Sequence, residues 1–342
     1  MTDTAPRELR WVPLAAATAT DHARLTDLIQ RCESAAVGEV DTSVEEVAAM
    51  VADPEVDRSA SVLVVDDEKL LGLRLVTVVR AERDVAVDCW VAPDLPQQQQ
   101  ADVMADLTSD LVPFARNLAR AAEPAHPWSA TVSAEPDLAA ADSSVWQVVA
   151  GAYRQDVVWA AALQSHGLTR VRTFERLRLS HGGAVSVPPP PAGVTVHGVA
   201  AESDLRTFHR LHLSAFADHW GGEPERPFDD WLAWQRSHAG VREDLWRIAV
   251  ADGEPVGICS GSDVRADFGV AYIPLLGVVR SARGRGIAKH LLYDQFALSA
   301  ARGFPATELT VDATSQTGAD QLYRSVGMRS YRVMDIWSRS LR

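Results

Sequence analysis

LLGVVRSARGRGIAKHLL, Leu275–Leu292, is the stretch that decides the reading of this chain. An apolar run passes through Arg283-Gly284-Arg285-Gly286-Ile287-Ala288-Lys289 into a segment of helical periodicity, so a strand turns directly into a helix. Glycines at 284 and 286 let the main chain turn tightly and approach a ligand closely. A helix start presents unpaired N–H groups and the positive end of its dipole, and the two together hold phosphate. Arg280, Arg283, Arg285 and Lys289 place four positive charges within ten residues of a chain whose net charge is −13. Their natural partner is a polyanion. The residues of the loop alone also suit a surface turn with exposed arginines. A dinucleotide-binding GxGxxG is not met, because Lys289 stands at the third glycine, and GxxxxGK[ST] is absent.

Outward from this turn the second half of the chain reads as a mixed α/β domain. VTVHGVA predicts a first strand, and Ser203 or Asp204 caps a helix with Leu205, Phe208, Leu211 and Phe216 on one side. Asp252-Gly253 between two β-rich runs predicts a hairpin. AYIPLLGVV is a strand, the helix after it stops at Gly303, and ATELTVDA, GADQLYRSVG and MRSYRVMDIWSRSL add strand, short helix and strand. The predicted order is β-α-β-β-β-α-β-α-β.

SHGGAVSVPPPPAGV, Ser180–Val194, marks a boundary, since four prolines neither continue a helix nor donate to a ladder. The expected division is a domain over 1–180, a linker over 181–193 and a domain over 194–342. The first domain repeats the element order of the second, which predicts an internal duplication.

The segment from Leu275 resembles motif A of the GNAT superfamily of N-acetyltransferases, whose R/Q-x-x-G-x-G/A is met by Arg283, Gly286 and Ala288. QTGADQLYRSVGM, Gln316–Met328, is similar to that family's NxxAxxLYxxxGF through Ala319, Leu322, Tyr323 and Gly327, with Gln316 for Asn and Met328 for Phe. The resemblance covers about 150 residues and implies two tandem GNAT folds, each an α/β domain with a mixed sheet, the N-terminal one degenerate. It implies transfer of an acetyl group from acetyl-CoA to a small-molecule primary amine. Pyrophosphate would rest on Arg283, Gly284, Arg285, Gly286, Ile287, Ala288 and Lys289, and pantetheine along Leu276, Gly277 and Val278. Tyr323 would be the general acid, since a phenol stays protonated at neutral pH and can donate to a leaving thiolate. Asp312, Asp263, Asp267 and His219 are the candidate bases. AFADHWGGEPERPFDDW, Ala215–Trp231, occupies the family's acceptor-shaping region, with Asp218, His219 and Trp220 as substrate-binding candidates. Its acidic groups and rings suit a cationic amine as well as a solvated loop.

The tandem layout and AFADH resemble actinobacterial two-domain GNATs such as mycothiol synthases, which acetylate a cysteinyl pseudodisaccharide. Those enzymes carry glutamate where Tyr272 stands here. Tailoring of an antibiotic-like amine and a non-catalytic acyl-CoA-binding protein are the alternatives.

APDLPQQQQADVM, Ala92–Met104, aligns with the glycine turn if Pro96 meets Arg283 and Gln97–Gln100 meet Gly284–Ile287. The glutamines then read as a disabled cofactor loop. Aligning Gly167 with Gly327 puts Leu163 at the place of Tyr323, so no acid remains. Residues 1–180 carry 28 acidic against 16 basic residues, a net −12 that repels CoA, while residues 181–342 net −1.

The acidic balance argues against nucleic-acid binding. No apolar run spans a bilayer and the N-terminus lacks signal-peptide layout, so no membrane partner and a cytoplasmic location are expected. Cys32, Cys89 and Cys259 are scattered with no CxxC, which predicts buried thiols and no metal. The acceptor partner is a small molecule, and the chain is expected as a monomer or homodimer.

Overall fold

The computed structural model describes residues 9–16, 19–66, 69–122, 145–217, 226–238, 240–314 and 318–342. Two compact units are present, Met1–Phe174 with Val333–Arg342, and Glu175–Arg332. The division therefore falls inside a strand at residue 174 and not in the proline run, and the last ten residues belong to the first unit.

In the first unit β1 (Arg10–Pro13) precedes α1 (Ala19–Val37) and α2 (Val44–Ala52), followed by β2 (Val62–Asp66), β3 (Lys69–Val79) and β4 (Asp84–Val91). After these come α3 (Gln97–Thr108), α4 (Leu111–Ala122), β5 (Gln147–Tyr153), α5 (Val157–Ser165) and the first half of β6 (Thr169–Ser180). α3 and α4 are separate helices, because Pro113 has no N–H to carry the helical ladder through Ser109. The final strand, β12 (Arg329–Ser340), closes this unit. Met334–Ser340 pair antiparallel with Tyr153–Gln147, and buried Asp335 accepts from Arg154 at 2.6 Å and from Thr173 Oγ1 at 2.6 Å. That ladder is why the chain end belongs here.

The second unit contains the rest of β6, then β7 (Val194–Gly198), α6 (Glu202–Phe216), α7 (Phe228–Ser237), β8 (Arg247–Ala251) and β9 (Glu254–Ser262). β10 (Ala271–Val278), α8 (Ile287–Ala301), β11 (Ala306–Asp312), α9 (Ala319–Ser325) and the start of β12 complete it. The sheet order is β6-β11-β10-β9-β8-β7, mixed parallel and antiparallel. Apart from α4, which has no counterpart after β10, the two units share the element order, with α7 a helix that the predicted order lacked. Asp252 (φ 54) and Gly253 (φ 87) make the predicted hairpin turn, and Gly303 (φ 87) ends α8. α6 starts earlier than expected, at Glu202, and Asp204 in its first turn accepts from the N–H groups of Ala200 and Ala201 at 2.9 and 3.1 Å.

Strand periodicity separates two cores in this unit. Ala249, Cys259, Ile273 and Leu309 pack with Leu291, Leu292 and Phe296 of α8, whereas Ile248 and Ile258 pack with Phe208 and Leu211 of α6 and Trp231 of α7. The proline run is not a free linker. Val185 packs on the α8 core, Pro191 accepts from Val194 N–H at 3.0 Å, and Pro191 Cγ lies 3.5 Å from where a Cβ on Gly286 would sit. Among the described residues no helix is long and apolar enough to cross a membrane.

Candidate active site

β10 and β11 run parallel but pair only at Ala271↔Thr307 and Tyr272↔Glu308. Six further residues of β10 and four of β11 then continue without pairing to each other, while the opposite edge of β10 stays joined to β9 through Val278↔Gly257. The register slip between Tyr272 and Leu275, with exposed Pro274 inside it, bends β10 away from β11. The result is a slot whose walls are strand edges, closed at Tyr272 and open at the C-terminal ends. Leu276 and Val278 lie on this edge, and Gly277 lets α6 approach, since a Cβ there would stand 2.7 Å from Phe216 and 2.9 Å from Ala215.

At the open end a 3-10 turn, Arg280–Ala282, leads through Gly284 (φ 77) and Gly286 (φ 80) into α8. Gly286 is the N-cap and offers no side chain of its own to the first N–H groups, and a Cβ on Gly284 would meet nothing within 4 Å. Gly284, Arg285, Gly286 and Lys289 are exposed, while Ile287 is buried as the anchor of the helix start. These are the features of a phosphate cradle. Arg283 has a different duty from the one expected of its side chain. It donates to Val278 O and Ala215 O, both at 3.0 Å, and so ties the turn to β10 and α6. Arg285 pairs with Asp252 at 2.8 Å across an exposed gap, a contact worth little in water that a phosphate can displace.

Tyr323 lies on α9 within the α8 core and is 9% exposed. Burial, with Cys259 and Tyr272 adding to it, pushes its phenol well above the ordinary value, so it holds its proton at neutral pH. Of the candidate bases, Asp263 is clamped by Arg302 and Arg242 at 2.7 Å, and these guanidiniums, against some burial, keep its carboxyl below the usual range. Asp312 accepts from Thr314 N–H at 2.8 Å as a turn former, and Asp267 is exposed. Asp218, His219 and Trp220 lie outside the described residues, as does Gln316.

Two buried polar residues of the second unit escaped the sequence reading. Glu308, at the last backbone pair, is fully buried and ion-paired with Arg178 at 2.6 Å. A carboxylate inside the apolar run ATELTVD was its signal. His212, 2% exposed on α6, accepts at Nδ1 from Trp231 Nε1 at 3.1 Å, and burial lowers its pKa to about 4. It is a neutral core group.

The corresponding place in the first unit is built differently. β4 and β5 pair at Asp84↔Gln147 through Ala86↔Val149. Beyond that, Gly151 of β5 has its N–H directed to Asp88 Oδ1 at 3.4 Å and its carbonyl bound by Trp159 Nε1 at 2.9 Å. Trp159 is 2% exposed and fills the position that Ala319 holds on α9. The turns that end α5 and α9 share the same closing bond, Leu168 N–H to Leu163 O and Met328 N–H to Tyr323 O, each at 3.1 Å. The glutamines, however, do not form a loop. Gln97–Gln100 are the first turn of α3 with Pro96 as N-cap, and Gln100 Nε2 donates to Pro93 O and Leu95 O at 3.0 and 2.8 Å. Pro96 corresponds to Gly286, and the connection is three residues shorter than its counterpart, so the alignment of Pro96 with Arg283 is corrected by three positions.

Residues 205–328 match the acetyltransferase (GNAT) family model. The GCN5-related N-acetyltransferase from Sphaerobacter thermophilus superposes with a TM-score of 0.74 at 25% identity, over 99% of this chain and 98% of that one. A tandem GNAT protein from the clavulanic acid biosynthesis pathway gives 0.65 at 17% identity, over 98% and 99%. A GNAT-family acetyltransferase from Colwellia psychrerythraea gives 0.56 at 12%, over 98% and 100%. No curated protein matches the chain significantly. Residues 205–328 thus resemble the GNAT acetyltransferases, and the chain shares its fold with members of that class. The family match is confined to residues 205–328 of the second unit, and the chain as a whole has the fold of a tandem GNAT protein.

Proposed function

We propose that this protein transfers an acetyl group from acetyl-CoA to a primary amine of a small molecule, with the second unit as the catalytic half. The observation that carries this reading is the slot between β10 and β11, which opens onto the glycine-capped start of α8. The N–H groups of Gly284–Lys289 bind pyrophosphate, and the β10 edge at Leu276 and Val278 pairs with the pantetheine amides. Main-chain N–H on that edge polarises the thioester carbonyl. The amine nitrogen attacks the carbonyl carbon, the C–N bond forms, the C–S bond breaks, and Tyr323 gives its proton to the departing thiolate. The amine proton leaves to water; Asp263, clamped by Arg302 and Arg242, does not take it. Juxtaposition of the two reactants supplies much of the acceleration.

The first unit supports this division of labour, since Trp159, Asp88 and the shortened connection occupy its corresponding slot and cradle. Mycothiol synthase-type acetylation is a narrower form of the proposal. The test is thiol release from acetyl-CoA with a panel of amines that includes aminoglycosides, amino sugars and cysteinyl sugars. Tyr323→Phe is expected to lower kcat by about 100-fold or more with the Kd for acetyl-CoA unchanged. Undiminished kcat in that variant contradicts the assignment of Tyr323 as the acid.

A further inference from the structure

We propose that Tyr272, held by Thr310, sets the length of the acyl chain that the slot accepts. The inference rests on the reading of the slot as the acyl-CoA site. A linear thioester anchored by its phosphates at the start of α8 runs back along β10 from Val278 toward Tyr272. Its acyl end therefore meets the closed end, where Tyr272 is the last residue of β10 to pair with β11.

The closed end is built to stay closed. Tyr272 Oη reaches Thr310 Oγ1 at 3.1 Å, two residues past the last backbone pair, so the ring spans the gap that the backbone ladder leaves. Directly opposite Tyr272, Glu308 is fully buried and fixed by Arg178 at 2.6 Å, which keeps the β11 side from yielding. Ile273 and Leu309, the next residue on each strand, are buried in the α8 core and cannot swing aside without opening it. A carbon chain longer than acetyl has to displace the tyrosine ring and break its hydrogen bond.

The full chain is titrated by calorimetry with acetyl-, propionyl-, butyryl- and hexanoyl-CoA. Wild type is expected to bind acetyl-CoA roughly tenfold or more tightly than butyryl-CoA, and Tyr272→Ala to bring the two within about threefold. Thr310→Val, which keeps the ring and the volume but removes its anchor, is expected to relax the preference partway. An unchanged chain-length profile in both variants, with acetyl-CoA still bound, overturns the proposal. So does an altered amine KM with the acyl profile intact, which assigns Tyr272 to the acceptor. Should Tyr272→Ala fail to fold, Thr310→Val decides alone. Absence of acetyl-CoA binding by wild type is a separate outcome, which defeats the underlying reading of the slot.

Discussion

Gly286 joins sequence to function through one dihedral angle. With φ at 80° it turns the chain so that the first N–H groups of α8 face outward, and any side chain there adopts a strained left-handed conformation. Gly286→Ala should cost about 1 kcal/mol in a denaturant titration, a conformational effect because the new Cβ meets only Pro191 at ordinary contact distance. His212 gives a pH signature. Burial lowers its folded pKa to about 4, below the unfolded value, so the unfolded chain takes the proton first as pH falls. Stability from neutral His212 is complete above the unfolded pKa and drains away down to about pH 4, by about 3 kcal/mol in all. NMR titration should show its imidazole neutral at pH 6, and a protonated ring there would refute the burial argument.

At the level of elements, the sequence disclosed what local rules control. Asp252-Gly253 announced a hairpin, Gly303 a helix stop, and the 284–289 turn a strand-to-helix junction, because each needs a particular backbone conformation at a particular residue. Features set by length or by distant partners stayed hidden. Four glutamines carry no loop signal of their own, and only the helix start at Gln97 shows that the connection is short. Trp159 reads as one more apolar residue until its indole is found on Gly151 O at 2.9 Å. Trp159→Ala should destabilise the first unit by roughly 3–5 kcal/mol, from the lost packing and the uncovered carbonyl, as read from the first transition in guanidinium unfolding. A change below about 1 kcal/mol would mean the indole is not what fills that slot.

On the scale of the molecule, the unit boundary was illegible because it is made by strand pairing between residues nearly two hundred positions apart. Asp335 belongs by sequence to the second half, yet its carboxylate binds Arg154 and Thr173 in the first unit. A chain stopped at Arg332 should lose hydrogen-exchange protection in Gln147–Tyr153, whose antiparallel partner is gone, while Leu291–Phe296 of α8 stays protected. Equal loss in both segments would contradict the division into these units. The central claim is that the second unit alone holds the acyl donor. Calorimetric titration of the full chain with acetyl-CoA tests it most directly, comparing wild type with Gly286→Glu and with Gln97→Glu in the first turn of α3. The account predicts one equivalent bound per chain, abolished by Gly286→Glu and untouched by Gln97→Glu. Two equivalents, or binding that survives Gly286→Glu, would contradict it.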